Sequence, residues 1–545
     1  MIFKSFLWSH RYLIGIFTLF VIVLGIRIDL YDEPLFYDYA RNALATIRIT
    51  EDFFHIIIFQ PHPQAGPFFA ILAQPFNILT DHNDKYVLFG TQASFVLILF
   101  LSLYKLVERL HSQKAAVLSV LILTCFPIFF GQSMVWLHDI PHAAMVTAAM
   151  YLALVPETFR SKLRASFFGI TVACGILTRF TYPVFVLAGF TIIGIDLIIS
   201  TKPQRFFKTR EFKNICIAFG IVLLIAAPWI ARNSYHILIN LYQEILHTDK
   251  DVNAYQKSGL EALLYYPSVL WVAIGAHWTL PFLVSCYSAF KLNAATLCII
   301  ATIAFPLVVM GFMPVTGMRY IMPVLPFIAA ITAIGFSTLL DYNKYSKVFA
   351  SCLLSVLIVF SFYQHYKQAF LLINCEETSS EKMIVEEPAF RANPIWDTAC
   401  NFNVTNINTY VGNSNFYIRN LWARLPDSPW VDIAFISLDG EPISYLRSQM
   451  TYLLLKRQLL ETTQRFKFID EYKGNPTFDI LIGIGRTPDI PLPSQLLDSN
   501  GHYYITRDLQ DYITYGLRVE DTMTYDFQVE GTIPWYVKTL IVNRK

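Results

Sequence analysis

The chain has 545 residues, with 42 lysines and arginines against 40 aspartates and glutamates, for a formal net charge of +2. Hydrophobic residues make up 55% and charged residues only 15%, against roughly 25% charge in a soluble domain, which excludes a wholly water-soluble protein. A charge balance this near neutral offers no basic surface for nucleic acid.

A membrane-crossing helix needs about 20 largely apolar residues. On that criterion the sequence predicts spans near 11–28, 86–106, 115–133, 140–157, 166–178, 181–200, 214–231, 267–290, 294–313, 320–340 and 347–364. The expected fold is a polytopic α-helical membrane protein of roughly eleven spans. Its first span has a basic flank (Lys4, Arg11) and no small-residue cleavage pattern before Arg27, as in a retained signal anchor. In the loop that follows, FFHIIIFQPHPQAGPFFAILAQPF is apolar yet broken by prolines, the pattern of an interfacial helix pair. Further along, LTRFTYP interrupts the apolar run at 166–200 and leaves its first half short for a full crossing. The aromatic segments YYPSVLW and HWTLPF (Tyr265, Tyr266, Trp271, His277, Trp278) fit an interfacial belt, and equally the lining of a groove for a lipid tail.

Short cytoplasmic loops are enriched in lysine and arginine. YKLVERLHSQK, RSKLR, TKPQRFFKTREFK and NKYSK all fall on one side of this map, which makes that side cytoplasmic. The opposite face then receives the loop with Asp32, Glu33, Glu51 and Asp52, the WLHD turn, the TRFTYP break, the 232–265 loop and the C-terminal region. The expected location is a plasma (inner) membrane, with these elements extracytoplasmic.

After residue 364 long apolar runs give way to mixed sequence. Residues 365–545 read as an extracytoplasmic soluble α/β domain, with strand-like VDIAFISL and FDILIGIG around a helical TYLLLKRQLLE. Roughly 180 residues suffice to bury a core. The GxG of LIGIGR (Gly483, Gly485) lacks the third glycine and following helix of a nucleotide-binding turn, so it reads as a strand end. Of eight cysteines, Cys125, Cys174, Cys216, Cys286, Cys298 and Cys352 lie in or near spans and act as small apolar residues. Cys375 and Cys400 lie in the outer domain, where an exported compartment permits a disulfide but the sequence does not decide it.

Two carboxylates stand out. Asp32 (YDEPLFYDYA) and Asp139 (WLHDIPHAAM) each open an Asp-x-Pro pattern beside a span, on the same expected face. Both fit helix N-caps, yet a carboxylate at the edge of hydrocarbon is expensive and is usually kept for substrate, ion or proton handling. Arg179, Arg232 and Arg319 lie at the outer ends of spans, against the positive-inside rule. Each alone is explained by snorkelling. Together they fit a receptor for an anionic headgroup, since guanidinium holds phosphate in bidentate fashion and stays charged. His55, His62, His138 and His142 crowd the same face and allow a divalent ion, although no paired Cys/His spacing requires one and no cofactor is otherwise indicated.

The DE after the first span, the later Asp-x-Pro, LTRFTYP, APWIARN and MRYIMPVLPFIAA, in that order and on those faces, resemble the GT-C glycosyltransferases, in the branch of protein mannosyltransferases and the lipid A aminoarabinose transferase. The resemblance covers about residues 1–365, and no WWDYG-type motif links the chain to the oligosaccharyltransferase branch. It implies a transfer of a sugar from a polyprenyl-phosphate donor to a protein, lipid or glycan acceptor, with inversion. Residue by residue, it implies that Asp32 is the catalytic base, with Glu33 its neighbour, and that Asp139 positions the acceptor or a cation. Arg179 stands where the family commonly has lysine, which loosens its assignment to the donor phosphate. A secondary transporter would place its acidic residues near the midplane and often show related halves, and a membrane scaffold with an exported binding domain would need neither aspartate.

Overall fold

The computed structural model describes residues 10–30, 66–80, 84–133, 137–155, 157–201, 206–246, 259–289, 294–312 and 318–370, with seven strands between 430 and 543. Asp32, Glu33, His55, His62, Cys375, Cys400 and the TYLLLKRQLLE segment lie outside the described residues. The described helices belong to one compact unit and the described strands to another.

The helical unit begins with α1 (Arg11–Leu30), α2 (Phe68–Leu79), α3 (Asp84–Leu110), α4 (Gln113–Thr124) and α5 (Pro127–Gln132). It continues with α6 (Asp139–Leu154), α7 (Lys162–Ile176), α8 (Tyr182–Thr201) and α9 (Arg210–Leu246). α10 (Gly259–Ile274), α11 (Ala276–Ala289), α12 (Ala294–Gly311), a 3₁₀ turn (Met318–Val324), α13 (Leu325–Tyr342) and α14 (Lys344–Phe370) complete it. Among the described residues five helical stretches are long and apolar enough to cross a bilayer, 86–110, 182–200, 210–235, 319–342 and 344–363. The protein is an integral, polytopic membrane protein.

Three predicted spans differ in detail. The segment 115–133 is interrupted at Cys125–Phe126, because Pro127 cannot continue a helix and disfavours helical geometry in the residue before it. The segment 267–290 is broken at Gly275, whose φ of +83° only glycine adopts without cost, and the helices on either side bend by 115°. Beyond 231, where a loop was expected, α9 runs on to Leu246 through LYQEIL, whose polar residues carry no hydropathy signal.

α6 is the buried centre of the unit. It is buried along most of its length, and packs against α3, α7, α8 and the 3₁₀ turn, as a helix without a broad polar face must. Ala143, Ala144, Ala148 and Ala149 allow these neighbours to approach its backbone closely. α13, also largely buried, packs against α4, α11 and α14. Ser112 and Ser161 cap α4 and α7, accepting from the Ala115 amide at 3.2 Å and the Arg164 amide at 3.5 Å.

Ion pairs gather at one end of these helices. Lys114–Asp341 (2.8 Å), Arg160–Glu211 (3.5 Å) and Arg109–Glu157 (3.9 Å) join the loops that were read as cytoplasmic. Exposed pairs of this kind contribute little to stability, because water and salt screen them. α6, α13 and the 3₁₀ turn begin at the opposite end, with Asp139 and Arg319.

In the second unit the strands are β1 (Trp430–Ser437), β2 (Arg465–Ile469), β3 (Ile480–Gly485), β4 (Tyr503–Thr506), β5 (Tyr512–Tyr515), β6 (Arg518–Phe527) and β7 (Trp535–Asn543). Five form a mixed sheet in the order β2-β1-β3-β7-β6, and β4 and β5 pair by themselves. β1 is parallel to both β2 and β3, while β7 is antiparallel to β3 and β6. VDIAFISL and FDILIGIG are thus adjacent strands, and Gly483 and Gly485 pair with Lys538 and Tyr536 within the sheet. Parallel neighbours need a crossover connection of about a dozen residues or more, and the chain between β1 and β2 contains TYLLLKRQLLE.

Candidate functional site

The site is built where three chain reversals meet at the end of the bundle opposite the basic loops. The first is the start of α6. Asp139 was expected as its N-cap, but His138 occupies that position, in helical geometry and without a side-chain cap bond, and Asp139 is the first helical residue. A carboxylate in the first turn still interacts favourably with the helix dipole. Its Oδ1 has another partner, however: it accepts a bond of 2.6 Å from Arg179 Nη1.

Arg179 belongs to the second reversal, between α7 and α8. The helix ends at Ile176, the amides of Thr178 and Arg179 both return to the Gly175 carbonyl at 3.1 and 3.2 Å, and the Tyr182 amide bonds the Arg179 carbonyl at 3.0 Å. Carbonyls at the end of a helix lack intrahelical donors. Here the chain leading into α2 supplies them, with Gly66 N donating to Thr178 O at 3.4 Å and Phe68 N to Leu177 O at 3.2 Å. Gly66 lies so close that a Cβ would overlap the Leu177 carbonyl. The predicted outer loop is therefore pinned at Gly66–Phe68 to the turn that carries Arg179.

The third reversal is the 3₁₀ turn. The Arg179 Cζ lies 4.8 Å from the centre of the Tyr320 ring, and the Arg319 Cζ 5.4 Å from the same centre. Two of the three sequence-nominated arginines thus share one aromatic ring, and one of them holds the nominated aspartate. Arg232 sits on an exposed part of α9, one turn beyond Trp229, which is buried with Ala173, Leu177 and Ala226.

The Asp139 and Arg179 side chains are 3% and 14% exposed. In such surroundings each charge depends on the other, because the desolvation cost of an isolated ion is several kcal/mol. Beside them, His138 packs edge-on to Phe69 at 4.9 Å, and His142 lies edge-on to Phe185 at 4.9 Å with Tyr182 at 6.0 Å. His142 Nε2 and the Tyr182 hydroxyl are buried without a hydrogen-bond partner among the described residues. No three His, Cys, Asp or Glu side chains among the described residues come together as a metal site. A divalent ion, as the sequence allows, would therefore draw ligands from outside those residues, where His55 and His62 lie.

Residues 61–231, which include Asp139 and Arg179, match the family described as dolichyl-phosphate-mannose-protein mannosyltransferase. The resemblance to the GT-C glycosyltransferases holds. No curated protein matches the sequence. Among solved structures, ArnT from Cupriavidus metallidurans bound to undecaprenyl phosphate aligns at 12% identity over 93% of this chain and 98% of its own, with a TM-score of 0.58. ArnT in the apo state aligns at 13% identity over the same shares, with a TM-score of 0.56. At these identities the likeness establishes the GT-C fold alone, and the family match supports the enzyme class, a glycosyltransferase.

Tyr320 is the site residue that sequence reasoning passed over. It stands in the quoted GMRYIMP, directly after Arg319, but an aromatic residue at the end of a span is indistinguishable by position from the ordinary interfacial belt.

Proposed function

We propose that this GT-C glycosyltransferase takes a sugar from a polyprenyl-phosphate donor and passes it, with inversion, to a protein, lipid or glycan acceptor on the extracytoplasmic face. The observation that carries the reading is the Asp139–Arg179 pair, inside the family-matched segment and at the bundle end remote from the basic loops. α6 has 16 residues and α7 has 15, so each is roughly 23 Å long at 1.5 Å per residue. A hydrocarbon core is roughly 30 Å thick. Helices this short support a site recessed below the outer surface, where a headgroup on a long isoprenoid tail has access from the bilayer.

In this reading Asp32 takes the proton of the acceptor hydroxyl as its oxygen attacks the anomeric carbon. The bond from that carbon to the phosphate oxygen breaks on the opposite face, and polyprenyl phosphate leaves. General-base assistance of this kind is worth about 10² to 10⁴ in rate. Glu33 flanks the base. Arg179 and Arg319, with Arg232 as the outer contributor, stabilise the charge that develops on the leaving phosphate, the largest single contribution in many such sites. The 365–545 domain, with its parallel and antiparallel strands, is assigned to acceptor selection on the same face.

The test is transfer from radiolabelled polyprenyl-phosphate sugars to a panel of acceptors by purified protein, in wild-type and Asp32→Asn forms. The expected result is transfer by the wild type and a fall in kcat of at least about 10²-fold in the variant. Substrate flux across vesicles without transfer would support a transporter instead.

A further inference from the structure

Two guanidinium groups beside one ring require an explanation, because like charges do not gather without a cause. Each cation is drawn to the negative face of the Tyr320 ring, an attraction that grows as the site is desolvated. Arg179 is additionally fixed by Asp139, but through Nη1 alone. A single-point contact between a carboxylate and a five-donor fork leaves the angle of the guanidinium undetermined. The ring 4.8 Å from its Cζ supplies the second constraint.

We propose that Tyr320 is a positioning residue: its ring, rather than its hydroxyl, sets the spacing of Arg179 and Arg319 so that both address one phosphate, while Asp139 anchors the inner of the two. This rests on the donor-phosphate reading above and adds what organises the arginines. The backbone suits the task. Tyr320 stands in a 3₁₀ turn packed against α6 and α13, so the ring is tied to the helix that carries Asp139. Arg319 and Tyr320 are adjacent in sequence, whereas Arg179 arrives from a different reversal. The ring is therefore the common reference that keeps two independent chain segments in register around a ligand. The ligand chemistry that fits is a phosphate monoester, whose three terminal oxygens can accept from two forks at once.

The experiment compares Tyr320→Phe, which keeps the ring, with Tyr320→Leu, which removes it at similar bulk. Binding of farnesyl phosphate to purified protein is measured together with phenylglyoxal labelling of Arg179 and Arg319 in the absence of lipid. The expected result is farnesyl phosphate affinity within twofold of wild type for Tyr320→Phe and about tenfold weaker for Tyr320→Leu, the equivalent of about 1.4 kcal/mol. Labelling of both arginines should rise several-fold in Tyr320→Leu only. Equal behaviour of the two variants in labelling overturns the proposal, and an equal loss of binding in both assigns the role to the hydroxyl and overturns it as well. Failure of the wild type to bind farnesyl phosphate counts against the donor reading, while the lipid-free labelling still decides whether the ring holds the arginines.

Discussion

At the scale of single residues, the pair Asp139–Arg179 has the clearest consequences. Asp139→Ala leaves a guanidinium at 14% exposure without its counter-charge, and breaking one partner of a buried pair costs about 3–5 kcal/mol. The double variant Asp139→Ala/Arg179→Met removes the stranded charge and should recover most of that stability, without recovering sugar transfer. Thermal unfolding in detergent, read beside a transfer assay, checks this. Additive losses in the double variant would show that the two side chains do not depend on one another. Both residues were legible in the sequence as charges at the ends of spans. Their partnership was not, because 40 positions separate them and only the folded chain brings α6 against the turn after α7.

At the scale of elements, the breaks matter more than the helices. LTRFTYP was readable as an interruption, since arginine, threonine and proline cluster inside an otherwise apolar run. The break at Gly275 was not, because hydropathy is blind to a single φ of +83°. It is held by a polar node: Trp278 Nε1 donates to Ser361 Oγ at 3.0 Å, His277 Nε2 bonds the same oxygen at 2.8 Å, and Ser361 donates to the Leu357 carbonyl at 2.9 Å. With the hydroxyl proton committed to Leu357, His277 is the donor, which places its proton on Nε2. Ser361→Ala strands both ring N–H groups in a buried region and should lower stability by about 2–6 kcal/mol, at about 1–3 kcal/mol per unsatisfied donor. Unfolding of the variant measures it, and a change under about 0.5 kcal/mol, within the range of an ordinary surface substitution, would mean that the node does not secure the break. Gly66 makes a parallel case. Gly66→Ala must push the chain away from Leu177 and lose two backbone bonds, so protease cleavage near residue 66 should accelerate, with unchanged cleavage as the contrary result.

At the scale of the molecule, composition and lysine–arginine placement were enough to expect a bundle with a basic end and an acidic site at the other. The central, buried position of α6 and the mixed sheet order β2-β1-β3-β7-β6 were beyond the sequence, since burial and pairing partners depend on contacts between distant segments. Orientation is directly testable. In a background lacking the eight native cysteines, Lys347→Cys should react with an impermeant maleimide only from the cytoplasmic side, and Asp521→Cys only from outside. Labelling of both from one side would overturn the assigned topology.

The most direct measurement is photo-crosslinking with a polyprenyl phosphate that carries a diazirine next to the phosphate, followed by peptide mapping. Adducts within 177–182 and 318–324, abolished by excess unlabelled polyprenyl phosphate, are the result this account predicts. Adducts confined to the basic loops, or spread without competition over the helix surfaces, would contradict it.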